Sequence, residues 1–139
     1  MAIIVATIVF AWQKRQERKS ELLAERRRAF VSFLSLAIIF RNSIKQSGLA
    51  AFSEHTKDFH INYYSLWMIA PDTILTKLLN YEDALLALKK NLETEGDVQN
   101  LEMLLQGERD NFFDLLFAMR DDVQNQVSKT KVNLDRERL

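Results

Sequence analysis

The chain has 139 residues, 47% of them hydrophobic, with 19 Lys+Arg against 19 Asp+Glu, three glycines, one proline and no cysteine. This is one domain's worth of sequence with enough apolar residues for a core, outside the disordered range. Disulfides, thiolate metal sites and cysteine nucleophiles are excluded, and the scarcity of Gly and Pro points to long helices. The neutral total hides an asymmetry: from Gln13 to Arg28, seven Lys/Arg stand against three Glu, so this segment holds +4 and the remainder −4.

Ala2 to Trp12 is apolar throughout except for Thr7, and Lys14, Arg15, Arg18 and Lys19 follow at once. An apolar run ending in a tryptophan and a basic block has the form of a membrane anchor meeting its flank. As a helix, however, it spans only about 18 Å, whereas a bilayer's hydrocarbon core is about 30 Å thick and takes about 20 residues. The leading expectation is part of a longer anchor, cut at its upstream side. Competing readings are a short anchor helped by snorkelling Lys14 and Arg15, a cleavable signal peptide, and a helix end docked against another protein. The signal-peptide reading lacks a basic leading region and a small-x-small cleavage site. Ile3, Ile4, Val5, Ile8, Val9, Phe10, Trp12, Lys14 and Arg15 are the expected membrane interface, although Trp12 also reads as an ordinary core aromatic. If the segment spans, its C-terminal positive charge keeps the rest of the chain on the cytoplasmic side of the membrane.

No Gly or Pro occurs from Ala2 to Gln46, and the spacing predicts one long helix there. Glu17, Glu21 and Glu25, interleaved with Arg18, Arg27 and Arg28, supply i,i+3 and i,i+4 pairs worth about 0.2–0.5 kcal/mol each. A second apolar run, Ala29 to Phe40, places Phe30, Phe33, Leu34, Ala37, Ile38 and then Ile44 on a broad face suited to the centre of a bundle. Ser47-Gly48 ends the helix. A second helix is predicted from Leu49 to Ile69, with Phe52, Thr56, Phe59, Tyr63, Leu66 and Ile69 or Ala70 at three- and four-residue steps. Phe59 to Trp67 is rich in β-formers, but a lone strand cannot satisfy its backbone, so helix is preferred. Pro71-Asp72 opens a third helix reaching about Asn91, with Ile74, Leu75, Leu78, Tyr81, Leu85, Leu88 and Leu92 along one side. After a loop at Glu93–Gly96, Asp97 caps a fourth helix expected to run to about Lys129. Its stripe is Val98, Leu101, Leu105, Phe112, Leu115, Leu116, Met119 and Val123, interrupted at Gly107-Glu108-Arg109 by a kink or a polar layer.

The expected fold is all-α, an up-down bundle of about four helices whose first helix extends N-terminally. The organisation is a partial or short anchor at 1–12, a basic helical stem at 13–28, a helical bundle at 29–130 and a charged tail at 131–139.

Residues suited to catalysis do not assemble in the sequence. His55 and His60 are five apart, which turns their rings about 140° away from each other on a helix. The carboxylate pairs Glu54/Asp58 and Asp110/Asp114 lack the Glu-x-x-His partners of di-metal bundles. Neither a glycine elbow nor a phosphate loop is present. The basic run from Lys14 to Arg28 suits anionic lipid or a solvated face better than nucleic acid, being interleaved with Glu and free of stacking aromatics. No enzyme activity, cofactor, metal or small-molecule substrate is therefore expected.

Two segments, Asn62 to Leu79 with Pro-Asp opening a helix, and Phe113 to Val123 with Met-Arg-x-Asp-aliphatic, carry a resemblance. Together with the anchor-and-stem layout they resemble small bacterial proteins that have one N-terminal membrane helix and a cytosolic helical domain, a group with no assigned activity. The matching residues are Asn62, Pro71, Asp72, Met119, Arg120 and Asp122. Asp122 borders the core stripe, where a charge needs a partner; Arg120 or a basic residue of the first helix such as Arg41 is the candidate. The expected function is a membrane-tethered module that binds another protein or itself. The alternative is a soluble structural subunit whose N-terminal helix docks into a larger assembly.

Overall fold

The computed structural model describes the backbone of residues 2–137 and the side chains of residues 4–126. Four helices follow one another: α1 (Ala2–Ser47), α2 (Leu49–Ile69), α3 (Asp72–Glu93) and α4 (Val98–Glu137). No strand occurs among the described residues, so the β-rich stretch around Tyr63 is helical, as the absence of a partner strand requires.

Each connection has a local cause. Gly48 turns the chain with φ 59, and its N–H reaches the Ile44 carbonyl at 2.9 Å. A Cβ there would meet nothing within 4 Å, so glycine is needed for its left-handed backbone rather than for room. Ala70 is extended, as the residue before a proline must be, and Pro71 is the N-cap of α3, one position earlier than a first-turn proline. The Pro71 carbonyl accepts from the N–H groups of Ile74 and Leu75. Between α3 and α4, Glu95 takes a left-handed φ of 49 and the Gly96 N–H donates to the Asn91 carbonyl at 3.0 Å. Asn91 is buried there, and a Cβ on Gly96 would overlap its side-chain amide. Asp97 opens α4, accepting the Gln99 N–H at its side chain and the Leu101 N–H at its carbonyl.

The helices form an antiparallel square. α1 packs closely on α2 and α3 on α4, while the α2–α3 and α1–α4 seams are thinner and, among the described residues, the diagonals do not meet. Steps of three and four residues bring Phe30, Phe33, Ala37, Phe40 and Ile44 of α1 onto Ala51, Phe52, Phe59, Tyr63 and Leu66 of α2. Rings dominate this half, with Phe33–Phe59 centroids 5.5 Å apart and Phe40–Phe52 5.1 Å apart, edge-on. The other half is mainly aliphatic: Ile74, Leu78, Leu85 and Leu88 of α3 meet Leu115 and Met119 of α4, with Tyr81 against Phe112.

Two residues expected on buried faces are exposed. Val98 is 68% exposed because it starts α4 before that helix has a neighbour, and Ile38 is 49% exposed because it lies one step outside the Ala37 line. α4 also runs past the expected Lys129, its helical backbone continuing to Glu137 through most of the segment read as a charged tail.

Candidate membrane interface and buried polar layer

α1 divides at Arg26. The Arg26 Nε donates to the Ile69 carbonyl at 3.2 Å and its Nη1 to Asp122 Oδ2 at 3.3 Å, tying α1 to the end of α2 and the side of α4. On the N-terminal side of this tie, residues 4–22 are exposed all round the helix. Ile4, Val5, Ile8, Val9, Phe10 and Trp12 have between 47% and 64% of their surface open. The Ile3 side chain, named with them from the sequence, lies outside the described residues. With Ala6 and Ala11 between them, Thr7 is the one polar residue from 4 to 12, so the apolar surface goes round the helix as a sleeve. Lys14 lays its ammonium 4.7 Å from the Phe10 ring centroid, a cation–π contact at the junction of sleeve and basic block. No helix among the described residues is long and apolar enough to cross a membrane.

Asp122 does take a basic residue of the first helix, but not the one named. Its partner is Arg26 of α1, and neither Arg120 nor Arg41 reaches it. Arg120 and Asp122 are two residues apart, which turns their side chains away from one another on a helix. Arg120 instead points outward, 3.5 Å from Asp121 and 5.0 Å from the Phe117 ring centroid.

Arg41 belongs to the site at Gly107-Glu108-Arg109, where the α4 stripe is interrupted. Glu108, in the middle of the α4 stripe, is buried, and its Oε1 accepts both the Arg41 Nε at 2.7 Å and the Tyr81 hydroxyl at 2.9 Å. The Arg41 guanidinium also lies 4.3 Å from the Phe112 ring centroid. Gly107-Glu108-Arg109 is thus a polar layer: α1, α3 and α4 each contribute one member of a closed network. Burial, then the negative charge and hydrogen bond of Glu108, push the Tyr81 hydroxyl far above its ordinary pKa. The signal was present in the spacing, since Leu101, Leu105, Glu108, Phe112, Leu115 and Met119 recur at steps of four and three. A carboxylate on that line needs a buried partner, but one sequence does not say which basic residue faces it.

The histidines remain apart. His55 Nε2 lies 3.0 Å from Ser43 Oγ, between α2 and α1, while His60 faces the other seam. There, a cleft of about 90 Å³ opens between α2 and α3, with Phe40, Phe52 and Phe59 at its apolar side and His60, Glu82, Leu86 and Lys89 around it. No cluster of His, Asp and Glu suited to a metal occurs among the described residues. The buried network is fully paired and gives no reacting group an open approach. The chain matches no known family model, no curated protein and no solved structure.

Proposed function

We propose that this protein is a membrane-tethered helical module that presents its bundle for protein binding and performs no catalysis of its own. The observation that carries this reading is the apolar sleeve of Ile4, Val5, Ile8, Val9, Phe10 and Trp12, held clear of the bundle and followed directly by Lys14, Arg15, Arg18 and Lys19. In water such a sleeve is costly at about 25 cal/mol per Å² of apolar surface. Lipid removes that cost, and each nearby Lys or Arg adds about 1 kcal/mol against anionic headgroups. With its basic flank on the C-terminal side, the tether leaves the bundle on the cytoplasmic face of a bacterial inner membrane.

Flotation of the full chain with vesicles tests the tether. Wild-type protein is expected to float with vesicles containing anionic lipid, and Ile8→Glu with Val5→Glu is expected to leave it at the bottom of the gradient. Recovery of the wild type free of vesicles, as a defined complex with another protein, would sink the tether and favour the docked-subunit alternative.

A further inference from the structure

We propose that the α2–α3 face of the bundle is the docking surface for a second copy of this chain, in a two-fold dimer whose axis runs parallel to the helices. Ile61, Tyr64 and Met68 repeat at steps of three and four along the outside of α2, with Trp67 beside them; Leu79 and Leu86 repeat along α3. Met68 is 84% exposed and Tyr64 62%. Together the six side chains offer on the order of 700 Å², close to the roughly 800 Å² per partner of a standard stable interface. Tyr, Trp and Met are also the residue types enriched where protein surfaces meet.

The thin α2–α3 seam supplies shape. Its cleft lies between the two stripes, with Leu86 at its edge, so the face is grooved rather than flat. The α1–α4 side differs: its aromatics Phe113 and Phe117 are covered by the guanidinium groups of Arg109 and Arg120, at 5.8 Å and 5.0 Å from the ring centroids. No cation covers Tyr64 or Trp67 among the described residues.

Charge points to self-association as the occupant. The exposed centre of the face has Lys57 on α2 and Asp83 on α3, and neither is in an ion pair among the described residues. His60 and Glu82 line one cleft, which fixes the heights of the two helices and sets Lys57 within about a turn of Asp83. A two-fold axis parallel to the helices keeps every residue at its own height and lays α2 on the second copy's α3. Lys57 then meets Asp83 of the partner subunit, and Ile61 and Tyr64 meet Leu79 of the partner subunit. The same axis keeps both N-terminal helices projecting in one direction.

The full chain in mild detergent, measured by analytical ultracentrifugation, tests the dimer. Two copies are expected for the wild type, and one copy for Met68→Glu and for Leu79→Lys, each with unchanged helical circular dichroism. Lys57→Glu is expected to weaken the dimer by at least about tenfold, because the two-fold axis uses that contact twice, and adding Asp83→Lys is expected to restore it. A wild-type monomer overturns the proposal, as does a dimer that persists in both apolar variants or a charge swap that fails to rescue. A dimer lost in Ile8→Glu but kept in Met68→Glu also overturns it, by placing the contact on the N-terminal helix.

Discussion

α1 contains two apolar runs of similar length with opposite fates. Ala29 to Phe40 buries Phe30, Phe33, Ala37 and Phe40, whereas the described part of Ala2 to Trp12 is exposed on every side. Hydrophobicity does not separate them. The second run repeats Phe30, Phe33, Ala37 and Phe40 at steps of three and four, and α2 and α4 flank α1 where that line faces the core. The first run is apolar at every position but Thr7 and lies beyond the Arg26 tie, where residues 4–22 are exposed. An apolar sleeve needs an apolar medium or a surrounding protein; an apolar stripe needs only a facing stripe.

The contrast can be broken from its packed side. Phe33 is fully buried against Phe59, so Phe33→Ala is expected to cost about 3–5 kcal/mol in urea unfolding. A comparable loss, about 3–5 kcal/mol, is expected for Glu108→Ala, which leaves Arg41 of the packed half charged and unpaired. Replacing the whole network together, by Arg41→Met, Glu108→Leu and Tyr81→Phe, is expected to recover most of that loss, since no polar group is then stranded.

Alkali acts on the same half more gently. Burial and then the Glu82 contact raise the Tyr63 pKa to about 12, and Tyr81 is raised further by burial and Glu108. Folding therefore favours the neutral phenols. Their contribution is complete below the unfolded tyrosine pKa of about 10 and is lost as pH rises through the folded values. Unfolding midpoints are expected to fall from about pH 10 upward. Tyr63→Phe should flatten that fall, and a midpoint independent of pH up to 12 would contradict the assignment. On the projecting side the smallest effect is expected: Phe10→Ala, 58% exposed in the wild type, should change stability by less than about 0.5 kcal/mol while weakening vesicle flotation.

The helical frame was legible because its punctuation is local. Gly48, Pro71 and Asp97 each act through their own backbone or the next turn, so the beginnings of α2, α3 and α4 follow from single residues. Much of the core was legible for a related reason, since a three-and-four repeat such as Phe52, Phe59, Tyr63 and Leu66 marks a face without reference to its partner. Partner choice was not legible. Asp122 had Arg120 or a basic residue of the first helix such as Arg41 as candidates; the helix was right, but the residue is Arg26, while Arg41 closes on Glu108 across 67 positions of sequence. Such pairings depend on how high each helix stands against its neighbour. That offset is set by the turns and the packing together, and no local signal encodes it. The thin α2–α3 seam, with its cleft, was illegible for the same reason.

From Ala2 to Ser47, α1 is one helix without a break, which makes it about 69 Å long at the helical rise. A rod of that kind transmits rotation. Because each residue turns the helix by about 100°, removing one residue between Gln13 and Glu25 would swing the whole bundle by about that angle about the long axis, relative to the apolar sleeve. Removing seven would restore its azimuth to within about 20° while drawing it about 10 Å closer. The stem is thus a setting of phase as well as of reach: its residue count determines which side of the bundle lines up with which side of the sleeve.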